Sequence, residues 1–243
     1  METQPEFLSE RIDTILRLTI NRPRAANAIN DVVTDGIVSG LTEASRNDGI
    51  RAVILTGAGN RIFSAGRDLK NPLNLRPEAL AQQRREESRA YTEALLSFEK
   101  PLVVALNGIA MGAGLMLALH ADRVIAAEHA TIALPEIDIG IASFLGHALV
   151  AVLAGDGVAN DLALSGRRIT AAEALHRGLV HSVVPPDRLA VEAEASATML
   201  GAKPIETFRE VKRWILQRRR VAVKAAFQAH EMLDANKRSA SAV

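Results

Sequence analysis

One stretch, Lys100–His120 (KPLVVALNGIAMGAGLMLALH), constrains the fold more than any other. Leu102–Leu106 is an uninterrupted apolar run of strand length, closed by the turn pair Asn107-Gly108. The small residues Gly112-Ala113-Gly114 follow, and Leu115–Leu119 then reads as an apolar helix. A buried strand that turns through glycines into a helix exposes the unpaired N–H groups of the helix's first turn. The helix dipole favours negative charge at that point, and nothing on Gly112 or Ala113 is large enough to hold a ligand away. The same residues also serve plain close packing of a helix on a sheet. The spacing Gly108, Gly112, Gly114 is not GxGxxG, which argues against a dinucleotide site.

The rest of the chain reads as alternating strands and helices. Leu16, Leu18 and Ile20 alternate with polar residues in a strand ended by Asn21-Arg22-Pro23. Asn30 or Asp31 caps a helix with Val33, Ile37, Leu41 and Ala44 on one face. Ala52–Thr56 is a second apolar strand, and Gly57–Asn60 turns the chain into Phe63–Lys70. A proline-bearing loop (Pro72, Pro77) and a largely solvated helix fill 71–100, with Tyr91, Leu95 and Phe98 as its narrow apolar stripe. Arg123–Ala127, Thr131–Leu134 and Val180–Val184 are further strands, with helical patterns between the last two. From Asp187 onward everything is helical, and Ile205, Phe208, Val211 and Ile215 form one apolar face. This order predicts an α/β core over 1–186 and an all-helical region over 187–243.

Composition narrows the function classes. The 243 residues are 48% hydrophobic and 23% charged with a net charge of +1, so no nucleic-acid-coating surface is expected. There is no cysteine, which removes disulfides, thiolate metal sites and a cysteine nucleophile. No spacing of His, Asp and Glu resembles a metal site. No apolar run is long enough to cross a bilayer and no secretion signal opens the chain; a cytoplasmic protein without membrane contact is expected.

Three pieces carry chemistry. Ala65-Gly66-Arg67 and Gly112-Ala113-Gly114 each follow an apolar strand; if those strands are neighbours, two backbone N–H groups converge on one carbonyl oxygen. Pro135-Glu136 adds a carboxylate flanked by Leu134 and Ile137, where the apolar setting disfavours the charged form. A solvated loop glutamate has the same local sequence. Asp138, two residues on, shares a side with Glu136 if this segment is extended. Ser143 and His147 are helical neighbours without a third triad member, and His120 reads as a satisfied buried histidine.

These pieces, in this order, resemble the enoyl-CoA hydratase/isomerase (crotonase) family. The matching segments are NRPRAANAIN (21–30), FSAGRDLK (63–70), NGIAMGAG (107–114), ALPEIDIG (133–140) and SGRRITAAEALHRGLV (165–180). The resemblance implies a crotonase-like spiral of strand–strand–helix units, with C-terminal helices that build homotrimers or dimers of trimers. It implies an acyl-CoA thioester as substrate and no tightly bound cofactor. The thioester oxygen would lie on the N–H groups of Arg67 and Ala113, with Glu136 as acid/base. Arg24, Ala26, Ala65, Asp68 and Leu69 would follow the CoA adenine and pantetheine, and Gly66, Gly112 and Met116 would line the same pocket.

One departure bears on the reaction. Hydratases of the family use two glutamates, and here the first position is Met116, which cannot take a proton from water. A single glutamate fits an isomerase that moves one proton between two carbons. A hydratase or an acyl-CoA hydrolase or lyase working through other residues is the alternative. A scaffold that has lost its chemistry and binds RNA or a protein is the alternative of another class. Arg218-Arg219-Arg220, with Lys212, Arg213 and Lys224, reads as a solvated basic face; CoA phosphates across a subunit boundary and RNA are the other readings. The polar segment 71–100 is expected to shape the acyl pocket.

Overall fold

The computed structural model describes residues 4–70 and 77–241. Among them, two sheets carry the architecture. The larger contains β1 (Phe7–Ile12), β2 (Ile15–Ile20), β3 (Ala52–Gly57), β5 (Leu102–Leu106), β7 (Arg123–Ala127) and β10 (Ser182–Val184), in the order β1-β2-β3-β5-β7-β10. Only the β1–β2 pair is antiparallel. The smaller contains β4 (Ile62–Ser64), β6 (Ile109–Met111), β8 (Thr131–Ala133) and β9 (Ile169–Thr170), in that order, with β4, β6 and β8 parallel.

The unit that repeats is strand, strand, helix. Its first strand enters the large sheet, its second the small one, and a helix returns the chain. Thus β3 and β4 precede α2 (Pro77–Ser97), β5 and β6 precede α3 (Ala113–Ala118), and β7 and β8 precede α4 (Phe144–Ala154). Every residue of β5 is buried, as a parallel strand covered on both faces requires. α1 (Asp31–Arg46) covers one face through Val33, Ile37, Leu41 and Ala44, and Asn30 is its cap, accepting from Val33 N at 3.1 Å. α5 (Asp156–Ser165) and α6 (Ala171–His176) follow α4. α7 (Leu189–Gly201) covers the opposite face, packing Leu189, Ala193 and Ala197 on Ile54, Val103 and Ile125.

The structure corrects two expectations about the tail. α8 (Ile205–Ser241) does not pack through Val211 and Ile215, which are 53% and 52% exposed. Its inward face is Lys212, Leu216, Arg219, Val223 and Ala226. The basic run is therefore not wholly solvated. Lys212 Nζ donates to Asp122 Oδ2 and to the Lys100 carbonyl, both at 2.7 Å, and Arg219 Nη1 donates to the His120 carbonyl at 2.9 Å. Hydropathy assigned these cations to water; buried acceptors at the end of α3 and before β5 and β7 bring them inside.

The loop expected around Pro72 falls in 71–76, outside the described residues, while Pro77 is the first residue of α2. The strands at 7–12, 62–64, 109–111 and 169–170 were not expected. β1 is largely exposed and shows no apolar alternation, and β6 has three residues.

Candidate active site

Three parallel neighbours set the site. β4, β6 and β8 lie side by side, so the segments that leave their C-terminal ends meet: Ala65-Gly66-Arg67, Gly112-Ala113 and Pro135-Glu136. Arg67 forms a parallel bridge with Ile29, in which Ile29 N donates to Gly66 O at 2.8 Å and Asp68 N to Ile29 O at 2.9 Å. That pairing turns the N–H of Arg67 itself to the opposite side. Ala113 opens α3, and neither its N–H nor that of Arg67 donates to a protein acceptor among the described residues.

The two amide-bearing turns touch. Gly66 has φ +99°, and a methyl there would stand 3.4 Å from Ala113 N and 2.9 Å from Met111 O. Gly112 has φ +52° and ψ −123°, and a methyl there would stand 3.0 Å from Glu136 Oε1. The carboxylate therefore hangs directly over the glycine that precedes the second amide. Glycine at both positions leaves room for this approach.

Glu136 sits in a 3₁₀ turn, Pro135–Ile139. Burial holds its carboxyl above the ordinary value, against the opposing pull of its own backbone N–H and, less, of the nearby Ser143 hydroxyl. Neither Glu136 Oε2 nor Ser143 Oγ completes a hydrogen bond among the described residues. The 3₁₀ turn also corrects the extended reading of this segment. With about three residues per turn, Asp138 leaves the side of Glu136; it is exposed, and its carboxylate lies against Gly166. No Ser143–His147 pair forms, because His147 Nε2 meets Asn160 Oδ1 at 2.8 Å. His120 is only half satisfied: Nδ1 meets Met116 O at 2.7 Å, and Nε2 has no described partner.

A cavity of about 360 Å³ opens over these groups. Ala65, Gly66, Arg67, Leu69, Gly112, Ala113, Met116 and Glu136 all line it. Arg24, Ala26 and Asp68 do not. Arg24 is exposed in a 3₁₀ turn, Ala26 O accepts from Ala65 N at 3.0 Å, and Asp68 pairs with Arg22 Nη1 at 2.9 Å. Ala26 and Asp68 thus brace the segment that follows β4, and none of the three lines the cavity. The Arg67 side chain, whose charged form burial disfavours, is paired with Glu87 of α2.

The far walls come from α2 and α8, which sequence reasoning did not bring together. Arg85 pairs with Asp234 Oδ2 at 2.6 Å, Arg89 with Glu231, and Arg89 also lies over the Phe227 ring. Phe227 and His230 line the cavity, with the His230 ring 4.7 Å from that of Phe144. Thr34, Ser88, Tyr91 and Ser143 add hydroxyls to the lining, and Arg84 adds a further cation. Tyr91 had been placed in a packing stripe, and nothing local distinguishes a packed hydroxyl from a facing one.

Two amides without a described acceptor, a glycine-floored gap and a desolvated carboxylate meet at this cavity. The family model for enoyl-CoA hydratase/isomerase matches residues 10–241. The 2,3-dehydroadipyl-CoA hydratase of Escherichia coli K12 is 34% identical over 229 residues, 94% of this chain and 88% of that one. A carnitinyl-CoA dehydratase of Salmonella arizonae is 37% identical over 187 residues, 76% of this chain and 70% of that one. Among solved structures, the enoyl-CoA hydratase from Bacillus anthracis superposes with a TM-score of 0.81 at 30% identity, covering 96% of each chain. The chain belongs to the enoyl-CoA hydratase/isomerase family, and it has that family's fold. It is an acyl-CoA enzyme; among the described residues no helix is long and apolar enough to cross a membrane.

Proposed function

We propose that the protein moves a proton along the acyl chain of a CoA thioester, converting one enoyl-CoA isomer into another. The Arg67 and Ala113 N–H groups would hold the thioester oxygen. Charge that develops there on enolisation meets two dipoles already fixed by the backbone, a device whose loss costs about 3–4 kcal/mol per donor. Ionised Glu136 takes a proton from the carbon next to the thioester and returns it to a carbon farther along, so no proton is gained or lost. The CoA part would run past Leu69 and Ala65, with Arg24 as a phosphate partner and Ala26 and Asp68 beside it. Homotrimers or dimers of trimers built on the helical region 187–243 belong to the same reading.

The observation that carries it is the position of Glu136: one half-buried carboxylate, its Oε2 shielded from solvent, over Gly112, and Met116 on the helix that follows. Removing water or adding it needs a group that positions the water as well as one that deprotonates it. A second reading, hydration by Glu136 with Ser143 as the water's other partner, is favoured by the unpartnered Ser143 hydroxyl. A panel of 2-enoyl, 3-enoyl and 3-hydroxyacyl CoA esters, read by mass spectrometry, separates them. A product of equal mass is expected from the 3-enoyl esters. Addition or loss of water as the dominant outcome overturns the isomerase reading, and free acid overturns both.

A further inference from the structure

The cavity is not apolar to its end. Ile29, Met116, Ile139, Ile141 and Leu145 give it hydrocarbon walls, but α1 and α2 place three hydroxyls in the lining, those of Thr34, Ser88 and Tyr91, of which Ser88 is only half-buried. Thr34 is 6% exposed and Tyr91 9%. Thr34 Oγ1 and Tyr91 OH are buried, and neither has a hydrogen-bond partner among the described residues. Tyr91 is the chain's single tyrosine. Burial keeps its phenol protonated far above neutral pH, so the group is a hydrogen-bond donor. Arg67 lies close enough to act on it electrostatically, yet the Arg67 charge is already matched by Glu87.

A buried hydroxyl without a partner is costly, and a phenylalanine would fill the same volume without that cost. A site built to meet a polar group rejects the analogue lacking it far more strongly than an apolar pocket rejects an extra methylene. We propose that the acyl chain this site takes carries an oxygen in its tail, which accepts a hydrogen bond from Tyr91 with Thr34 as its neighbour. An oxygenated acyl-CoA is thereby preferred over one with a plain alkyl tail. The inference rests on the acyl-CoA reading above and names the substrate class within it.

The test compares kcat/KM for CoA esters of matched length with alkyl, hydroxyl and carboxylate tails, in the wild type, Tyr91→Phe and Thr34→Val. In the wild type the better oxygenated ester should exceed its alkyl counterpart by about ten- to a hundredfold. Whether the hydroxyl or the carboxylate leads tells a neutral acceptor from a charged one. Tyr91→Phe should bring that ratio to within a few-fold of one, with the melting temperature unchanged or raised. Thr34→Val should reduce it less, and serves alone if Tyr91→Phe does not fold. Alkyl esters turned over as well as oxygenated ones, or a ratio unmoved in the variants, overturns this inference and leaves the acyl-CoA reading intact. Failure to bind or turn over any ester overturns both.

Discussion

Replacing Glu136 by Gln keeps the shape of the side chain and removes its basicity. Its structural surroundings give two effects of opposite sign. Positioned general acid–base catalysis contributes roughly 10²–10⁴-fold, so turnover should fall by about that factor. Binding of the CoA ester should change only a few-fold, because the thioester oxygen is assigned to two backbone amides that the substitution does not touch. Stability should move the other way. The Glu136 carboxyl titrates above its ordinary 4.5 because burial disfavours the anion. Between that value and its raised one, the folded chain binds more protons than the unfolded chain, so stability falls as pH rises through the window. At neutral pH the buried anion is a net cost, with Oε2 unpartnered. Glutamine should therefore stabilise by on the order of 1 kcal/mol, or about 2–4 °C in melting temperature for a chain of this size. The gain should shrink near pH 4, where the carboxyl is protonated in both states. Steady-state kinetics, calorimetric binding and thermal melts at the two pH values measure all three. Near-normal turnover would remove Glu136 from the mechanism. A melting temperature lowered at pH 7 would show that the carboxylate is better solvated than its burial implies.

Two other substitutions test the frame around the site. Gly112→Ala places a residue at φ +52°, ψ −123°, a region that costs about 1–3 kcal/mol for non-glycine residues, and puts its methyl 3.0 Å from Glu136 Oε1. Activity should drop at least tenfold in protein that still melts cooperatively; full activity would mean that the carboxylate does not need its place over the glycine. Asp122→Ala leaves Lys212, 3% exposed, without its counter-charge and should destabilise by about 3–5 kcal/mol in urea titration. Recovery of much of that loss in the Asp122→Ala, Lys212→Met double variant would confirm that the uncompensated cation is the cause.

What the sequence determined by itself is what depends on near neighbours along the chain. The five apolar residues of β5, the Asn30 cap and the glycine turns at 66 and 112 each have a local physical cause, and each reappears in the structure. The family segments also contain Glu136, Gly66 and Ala113, which line one cavity. Tertiary structure decided which of these groups meet. The short β4, β6 and β8 carry almost no periodic signal, yet their parallel register brings residues 66, 112 and 136 together. The inward turn of Lys212 and Arg219 was equally illegible, since a cation is drawn inside by acceptors about ninety to a hundred positions away in the chain. So was the orphan hydroxyl of Tyr91. A phenol in a packing stripe reads the same whether it faces leucine or a cavity, and only the packing of α1 and α2 around that cavity tells them apart.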